Sequence, residues 1–433
     1  MFDWPLLRGP VPSVVVILGA VSCIYLLAAR GRRGWWSRTV PIVVMIGVIV
    51  SVIADKVIDH VLYSASVPVE VLAWIGFGAG AIALGVARAW RATWWQRGVV
   101  VVTVLVVVAM AANSVNRYYG EFPTFRAALG LPAAGEVAFK SVSAVVEQPQ
   151  LPVSGRALDQ DWTPTVRPPA KGVVTQVYIP GKVSRFTVTR RAYIYLPPAY
   201  SDPRRPLLPV LVLLHGIPGS PSDWLTAGGL AATMDRFAAA HRGLAPVVVM
   251  PDATGSLLGD PMCMDSRLGN SASYLAVDVP MWIRRHLQVD DDSRRWAIAG
   301  LSYGGTCAWQ LALRRPATYP TFIDLSGEVE PSLATRAQTI RVAFNGNAAA
   351  YTRATPLHML AAAPHPSVAG IIGLGRADTT FGPQQRLVYA ACRHAGIDVR
   401  LLVLPGAHTW QVWSVGLRRS LPWLAYRLGI TAP

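Results

Sequence analysis

Arg295-Trp296-Ala297-Ile298-Ala299-Gly300-Leu301-Ser302-Tyr303-Gly304-Gly305 decides how this chain is read. Its apolar half has the content of a short buried strand, and residues 306–314 have the look of a helix. Between them, Gly300-Leu301-Ser302-Tyr303-Gly304 fits G-x-S-x-G. That pattern marks a strand-to-helix turn so tight that the positions two residues either side of the serine must be glycine. The turn lifts the serine hydroxyl to the top of a sheet, at a helix N-terminus. Such a serine needs a base and an acid from elsewhere in the chain.

Outward from this turn the apolar runs alternate in kind. Residues 173–178, 186–190, 191–198, 208–214, 246–250, 296–299, 322–325, 340–344, 368–374 and 399–404 read as strands. Helical patterns over 272–287, 306–314, 383–395 and 410–428 separate several of them. Continuous apolar strands alternating with helices predict one α/β domain over 172–433, a mostly parallel, doubly wound sheet covered on both faces.

Catalytic partners of Ser302 are expected past the ends of later strands. Gly375-Arg376-Ala377-Asp378 follows one such strand, and Pro405-Gly406-Ala407-His408-Thr409-Trp410 follows the last. The order Ser302, Asp378, His408 is that of α/β-hydrolases. His408 would take the serine's proton, and Asp378 would hold the imidazole tautomer. Backbone N–H groups of Tyr303 and of the turn His215-Gly216-Ile217-Pro218-Gly219 are the candidate oxyanion donors. Pro218 has no N–H, which leaves Ile217 as the first candidate and Gly216 as the second. Asp324 and Glu328 are rival acids, and His215 is a rival base more suited to ordering the oxyanion turn. Asp252, Asp265 and Asp278 read as structural.

Tyr195-Leu196-Pro197-Pro198-Ala199-Tyr200, the His215-Gly216 turn, Met250-Pro251-Asp252, Gly300-Leu301-Ser302-Tyr303-Gly304-Gly305 and His408-Thr409-Trp410 carry a resemblance. Together they resemble the esterase D-like family of α/β-hydrolases, which includes enterochelin esterases, feruloyl esterases and the mycobacterial antigen 85 mycolyltransferases. Residues 263–283, with Tyr274-Leu275 and Asp278-Val279-Pro280, are similar to its actinobacterial branch. The resemblance spans about residues 172–428 and implies carboxylic-ester chemistry through an acyl-enzyme on Ser302, with Asp378 and His408 at the matching positions. The secreted mycolyltransferases lack a helical anchor and often use glutamate as the acid, so hydrolysis is the firmer implication.

The remainder of the chain has a different character. Of its 433 residues 52% are hydrophobic and 15% charged, and the apolar surplus lies in the first quarter. Spans near 11–29, 40–60, 67–87 and 98–112 predict a four-helix membrane anchor over residues 1–115. No convincing small-x-small site follows the first span, so it is read as retained. Arg30, Arg32, Arg33 and Arg38 lie in the first loop and Arg88, Arg91 and Arg97 in the third; Asp55, Lys56, Asp59 and Glu70 mark the second. Positive loops stay in the cytoplasm, so both termini and the α/β domain are expected outside. Trp35, Trp36, Trp90, Trp94 and Trp95 fall where indole rings favour head groups. Asp55, Lys56, Asp59 and His60 read as an interfacial loop with a local Asp–Lys pair. Residues 116–171 are expected to be an extracytoplasmic linker, with 117–131 an amphipathic helix on the membrane.

The net charge of +16 does not make this a nucleic-acid binder, because the arginines are scattered and do not alternate with aromatics. No Cys or His spacing suits a metal, and no cofactor is expected. Cys263 and Cys307 could pair if their domain lies outside the cytoplasm. The expected function is a membrane-anchored extracytoplasmic serine esterase acting on an acyl ester, with a lipid or glycolipid as the candidate substrate. The alternatives are an acyltransferase moving the acyl group to an envelope sugar such as trehalose, and a non-catalytic envelope-binding membrane protein.

Overall fold

The computed structural model describes residues 3–28, 34–62, 67–90, 92–131, 136–142, 144–153, 155–365 and 367–432. Arg30, Arg32, Arg33, Arg91 and the His60 side chain lie outside the described residues. The chain divides into two compact units, Met1–Pro132 and Ala133–Pro433.

Among the described residues the first unit has four long helices: α1 (Pro10–Leu27), α2 (Val40–Leu62), α3 (Val69–Ala89) and α4 (Trp94–Tyr119). At ~1.5 Å per residue they are roughly 27 to 39 Å long, near or beyond the ~30 Å of a hydrocarbon core. All four are long and apolar enough to cross a membrane. Their inward faces bury Leu26, Val100, Val107 and Met110, while Ile17, Val102 and Leu105 are each about three-fifths exposed. A helix bundle with apolar side chains on its outside is matched to lipid. This is a multi-pass membrane protein.

Three expectations change here. The fourth span begins at Trp94, where the Gln96 side chain accepts from the Thr93 N–H, and runs on to Tyr119. The amphipathic helix expected over 117–131 is therefore the end of α4, Gly120 in a left-handed conformation, and one turn at Phe125–Ala128. Asp55, Lys56, Asp59 and His60 belong to the last turns of α2 instead of a loop, with Asp55 and Lys56 3.5 Å apart.

The second unit is built on a nine-stranded sheet. Its strands are β1 (Glu136–Val137), β2 (Val173–Val177), β3 (Ala192–Leu196), β4 (Val210–Leu214), β5 (Val247–Met250), β8 (Trp296–Leu301), β9 (Thr321–Leu325), β10 (Ala369–Gly375) and β11 (Asp398–Leu404); β6 (Asp265–Ser266) and β7 (Gly269–Asn270) form a separate small ladder. The order is β1-β2-β3-β5-β4-β8-β9-β10-β11, parallel except where β3 meets β2 and β5. Successive strand residues point to opposite faces. Val210, Val212 and Leu214 accordingly join one apolar layer with Trp296 and Trp309, and Leu211 and Leu213 join the other with Trp410 and Leu424.

Residues 340–344 are not a strand but the end of a helix, Arg336–Phe344, whose first turn is capped by the Thr335 side chain. The apolar run is too short to distinguish the two, and β9 and β10 pair directly, leaving no place for a strand between them. Residues 186–190 form no strand either, because Phe186 and Val188 are buried from a loop. The segment expected to be a linker contributes β1 and a fully buried Trp162. Its proline-rich composition does specify extended chain, but occasional large apolar side chains dock that chain on the domain.

Candidate active site

The parallel strands deliver their following loops to one edge of the sheet. Ser302 follows β8 with φ 51° and ψ −123°, a strained conformation for a residue with a side chain. The turn explains its glycines. A Cβ on Gly304 would stand 2.6 Å from the carbonyl oxygens of Leu214 and His215, and one on Gly300 would collide with the Gly304 backbone. The turn is held by the Ser302 N–H donating to the Leu325 carbonyl at 2.8 Å. The helix Tyr303–Arg314 starts at the next residue, three earlier than its apolar pattern suggests.

His408 lies in the loop after β11, and its Nε2 is 3.0 Å from Ser302 Oγ. Its Nδ1 is 2.9 Å from Oδ2 of Asp378, in the loop after β10. The other Asp378 oxygen accepts the Phe381 N–H at 2.8 Å, which fixes the carboxylate plane. The imidazole stacks on Phe381 (centroids 4.2 Å apart) and meets the edge of Trp413 (4.8 Å). These two rings restrict the histidine and were not recognised from sequence. Phe381 is three residues past Asp378 and Trp413 five past His408, but no local pattern distinguishes them from core aromatics.

The turn after β4 passes over the serine, since a Cβ on Gly216 would stand 3.3 Å from Ser302 Cβ. Ile217 belongs to that turn. Tyr303 is the first residue of its helix, where a backbone N–H has no intrahelical acceptor. The Tyr303 side chain points elsewhere: its hydroxyl donates to the Ala253 carbonyl and accepts the Cys263 N–H, each at 3.2 Å. Cys263 is also disulfide-bonded to Cys307, with Cα atoms 5.3 Å apart, and its carbonyl accepts from Gln310. Three residues of the serine's helix thus hold the loop that follows β5.

A third residue without a sequence signal is Arg190. Its guanidinium donates to the Gly219 carbonyl, to Asp252 Oδ1 and to Thr254 Oγ1. Asp252 is fully buried and also accepts the Gly255 N–H at 3.0 Å. Arg190 therefore ties the turn after β4 to the loop after β5. Nothing in the sequence near Arg190 marks it, because the partners are 29 to 64 residues away.

The rival residues are engaged differently. Asp324 is fully buried, accepts the Gly327 N–H and the Gln385 amide at 2.9 Å each, and burial pushes its carboxyl up to about 7. Glu328 accepts from Ser332, and desolvation and the charge of Asp260 raise its carboxyl. His215 is buried with Nδ1 2.8 Å from the Gly216 carbonyl, and burial lowers its pKa. Asp265 binds Ser273, and Asp278 accepts the Val183 and Ser184 N–H groups. Among the described residues no group of His, Cys, Asp and Glu is placed to hold a metal.

The sheet order and the serine turn at its edge define an α/β-hydrolase. A family described as Putative esterase matches residues 184–424, and the chain belongs to it. By that membership it is a carboxylic ester hydrolase. An uncharacterised protein of Corynebacterium glutamicum is 34% identical over 337 residues, covering 76% of this chain and 75% of the relative. Among solved structures, a ferulic acid esterase is similar with a TM-score of 0.51 and 23% identity, over 59% of this chain and 97% of that one. An S-formylglutathione hydrolase from Agrobacterium tumefaciens gives 0.50 and 21%, over 61% and 98%. At that identity the two solved structures establish the shared fold.

Proposed function

We propose that Ser302, His408 and Asp378 are the catalytic residues, and that the enzyme hydrolyses an acyl ester outside the cytoplasm and close to the membrane. The observation that carries this reading is the hydrogen-bonded series from Ser302 Oγ through His408 to Asp378, at 3.0 and 2.9 Å. Ser302 Oγ attacks the ester carbonyl while His408 Nε2 accepts its proton. Asp378 keeps the Nδ1–H facing away from the serine and stabilises the imidazolium. The N–H groups of Tyr303 and Ile217 receive the oxyanion. His408 then protonates the leaving alcohol, and the acyl-enzyme remains on Ser302. Water, deprotonated by His408, attacks that ester and releases the acid.

Orientation rests on two supports. Four spans leave both ends of the chain on one side, and the arginine-rich first and third loops favour the other side as cytoplasmic. The Cys263–Cys307 disulfide suits an oxidising compartment. A reporter active only in the cytoplasm, fused after Pro433, should be silent; activity would reverse the orientation.

Hydrolysis is tested with p-nitrophenyl butyrate and the full chain in detergent. Wild type should turn over with a burst of p-nitrophenol, and Ser302→Ala should lose about 10⁶-fold in kcat. Retained turnover would remove Ser302 from its role. Adding trehalose addresses the acceptor: free butyrate supports hydrolysis, whereas acylated trehalose as the main product would reassign the enzyme to acyl transfer.

A further inference from the structure

The loop leaving β2 and the helix Val279–His286 border a half-open cavity of about 270 Å³ that the ester chemistry does not use. β2 is antiparallel to β3 and β3 to β5, so β2 ends on the same sheet edge as the Ser302 turn. Along the order β2-β3-β5-β4-β8 the two strands are four spacings apart, roughly 19 Å at ~4.8 Å each. The cavity is thus separate from the reacting serine.

Its charge is not balanced as it is nearby. Asp290, Asp291 and Asp292 pair with Arg295, Arg284 and Arg294 respectively. Among the described residues Lys182 and Arg285, which line the cavity, have no ion-pair partner. The one acid there, Asp278, is 4% exposed and directs both oxygens to backbone N–H groups, Val183 at 2.7 Å and Ser184 at 2.9 Å. Those bonds hold the Lys182 loop against the helix and turn the carboxylate away from a ligand.

Three aromatic rings, Tyr178, Trp282 and His286, belong to the rest of the lining. The His286 ring stacks on Trp282 with centroids 4.5 Å apart, and Trp282 leans on Phe139. His286 Nδ1 is 2.8 Å from the Trp282 carbonyl, which makes Nδ1 the donor of that bond and leaves Nε2 unengaged by it. Met281 and Tyr178 add walls that are about half exposed. Cations at a helix C-terminus stabilise the helix through its dipole, and that accounts for Arg284 and Arg285. It does not account for Lys182 arriving from another element, nor for the cavity between them.

We propose that this cavity is a second binding site, for an anionic group of the phosphate or carboxylate type joined to an apolar or aromatic body. Lys182 and Arg285 hold the anion through charge-assisted hydrogen bonds, and the Trp282–His286 pair stacks against the body. The test is calorimetric titration of phenyl phosphate and of inorganic phosphate into full-length Ser302→Ala protein in phosphatidylcholine nanodiscs. Phenyl phosphate should bind saturably and more tightly than phosphate. Lys182→Ala and Arg285→Ala should each weaken it about tenfold, and Trp282→Ala should abolish the preference over phosphate. Discs containing phosphatidylinositol separate the sources: competition with phenyl phosphate supports the site as one for a lipid head group, and undiminished binding supports a soluble ligand. The proposal is overturned if phenyl phosphate does not saturate, or if neither cation substitution alters its affinity. A lower Tm for Arg285→Ala with unchanged binding leaves only the helix-stabilising role and overturns it as well.

Discussion

Leu105 in α4 and Leu213 in β4 are the same residue under opposite rules. Leu105 is 62% exposed and Leu213 fully buried, yet both satisfy their surroundings. The first four helices bury apolar residues at a few internal contacts and present the others to lipid. The α/β unit uses period-two alternation to send apolar side chains into two layers, one on each side of its sheet. Apolar content alone therefore says little about packing; the solvent each unit faces decides what it means. The two units also divide the labour, one providing residence in the membrane and the other the chemistry.

The largest effect that should separate them is catalytic. His408→Ala is expected to reduce ester turnover by about 10⁴-fold or more, while Leu105→Ala leaves kcat/KM within twofold. Equal losses measured with p-nitrophenyl butyrate would make the membrane unit part of the catalytic machinery. In stability, Leu213→Ala should cost about 2–5 kcal/mol of unfolding free energy, and Leu105→Ala under ~0.5, because lipid tails replace the lost contacts. A denaturant series in which both substitutions cost the same would break the inside-out description.

Arg190 carries the next effect. Arg190→Lys retains the charge but cannot reach Gly219, Asp252 and Thr254 together, and a tenfold to hundredfold loss in kcat with little change in KM is expected, on the order of 1.4–2.7 kcal/mol. A purely structural role would lower Tm and leave the kinetics of the folded fraction intact. The last effect concerns pH. Asp324 has an ordinary carboxyl value of 3.8 and is pushed up to about 7 by burial, so the native state binds its proton more tightly than the unfolded chain. The associated stability is present below pH ~4 and is lost as pH rises through about 7. Asp324→Asn should flatten that part of the Tm–pH curve, and an unchanged slope would assign it to other groups.

Legibility in the sequence followed how local each determinant is. The strands β4, β5, β8 and β10 are unbroken apolar runs next to turn residues, and they read correctly within a residue or two. Residues 340–344 did not, because a five-residue apolar run fits a strand or a helix end, and only the Thr335 cap and the direct β9–β10 pairing decide it. The Ser302 turn is legible because its glycines are a steric necessity recorded in five consecutive residues. His408 and Asp378 stand out by their chain order past strand ends. Arg190, Phe381 and Trp413 left no comparable mark, since their significance arises only when distant loops meet.

The role of Ser302 is tested most directly by labelling the full-length protein with a fluorophosphonate and mapping the adduct by peptide mass spectrometry. A single adduct on the peptide containing Ser302, absent from both Ser302→Ala and heat-unfolded protein, is the expected result. Equal labelling of wild type and Ser302→Ala, or an adduct on another serine such as Ser326, would contradict it.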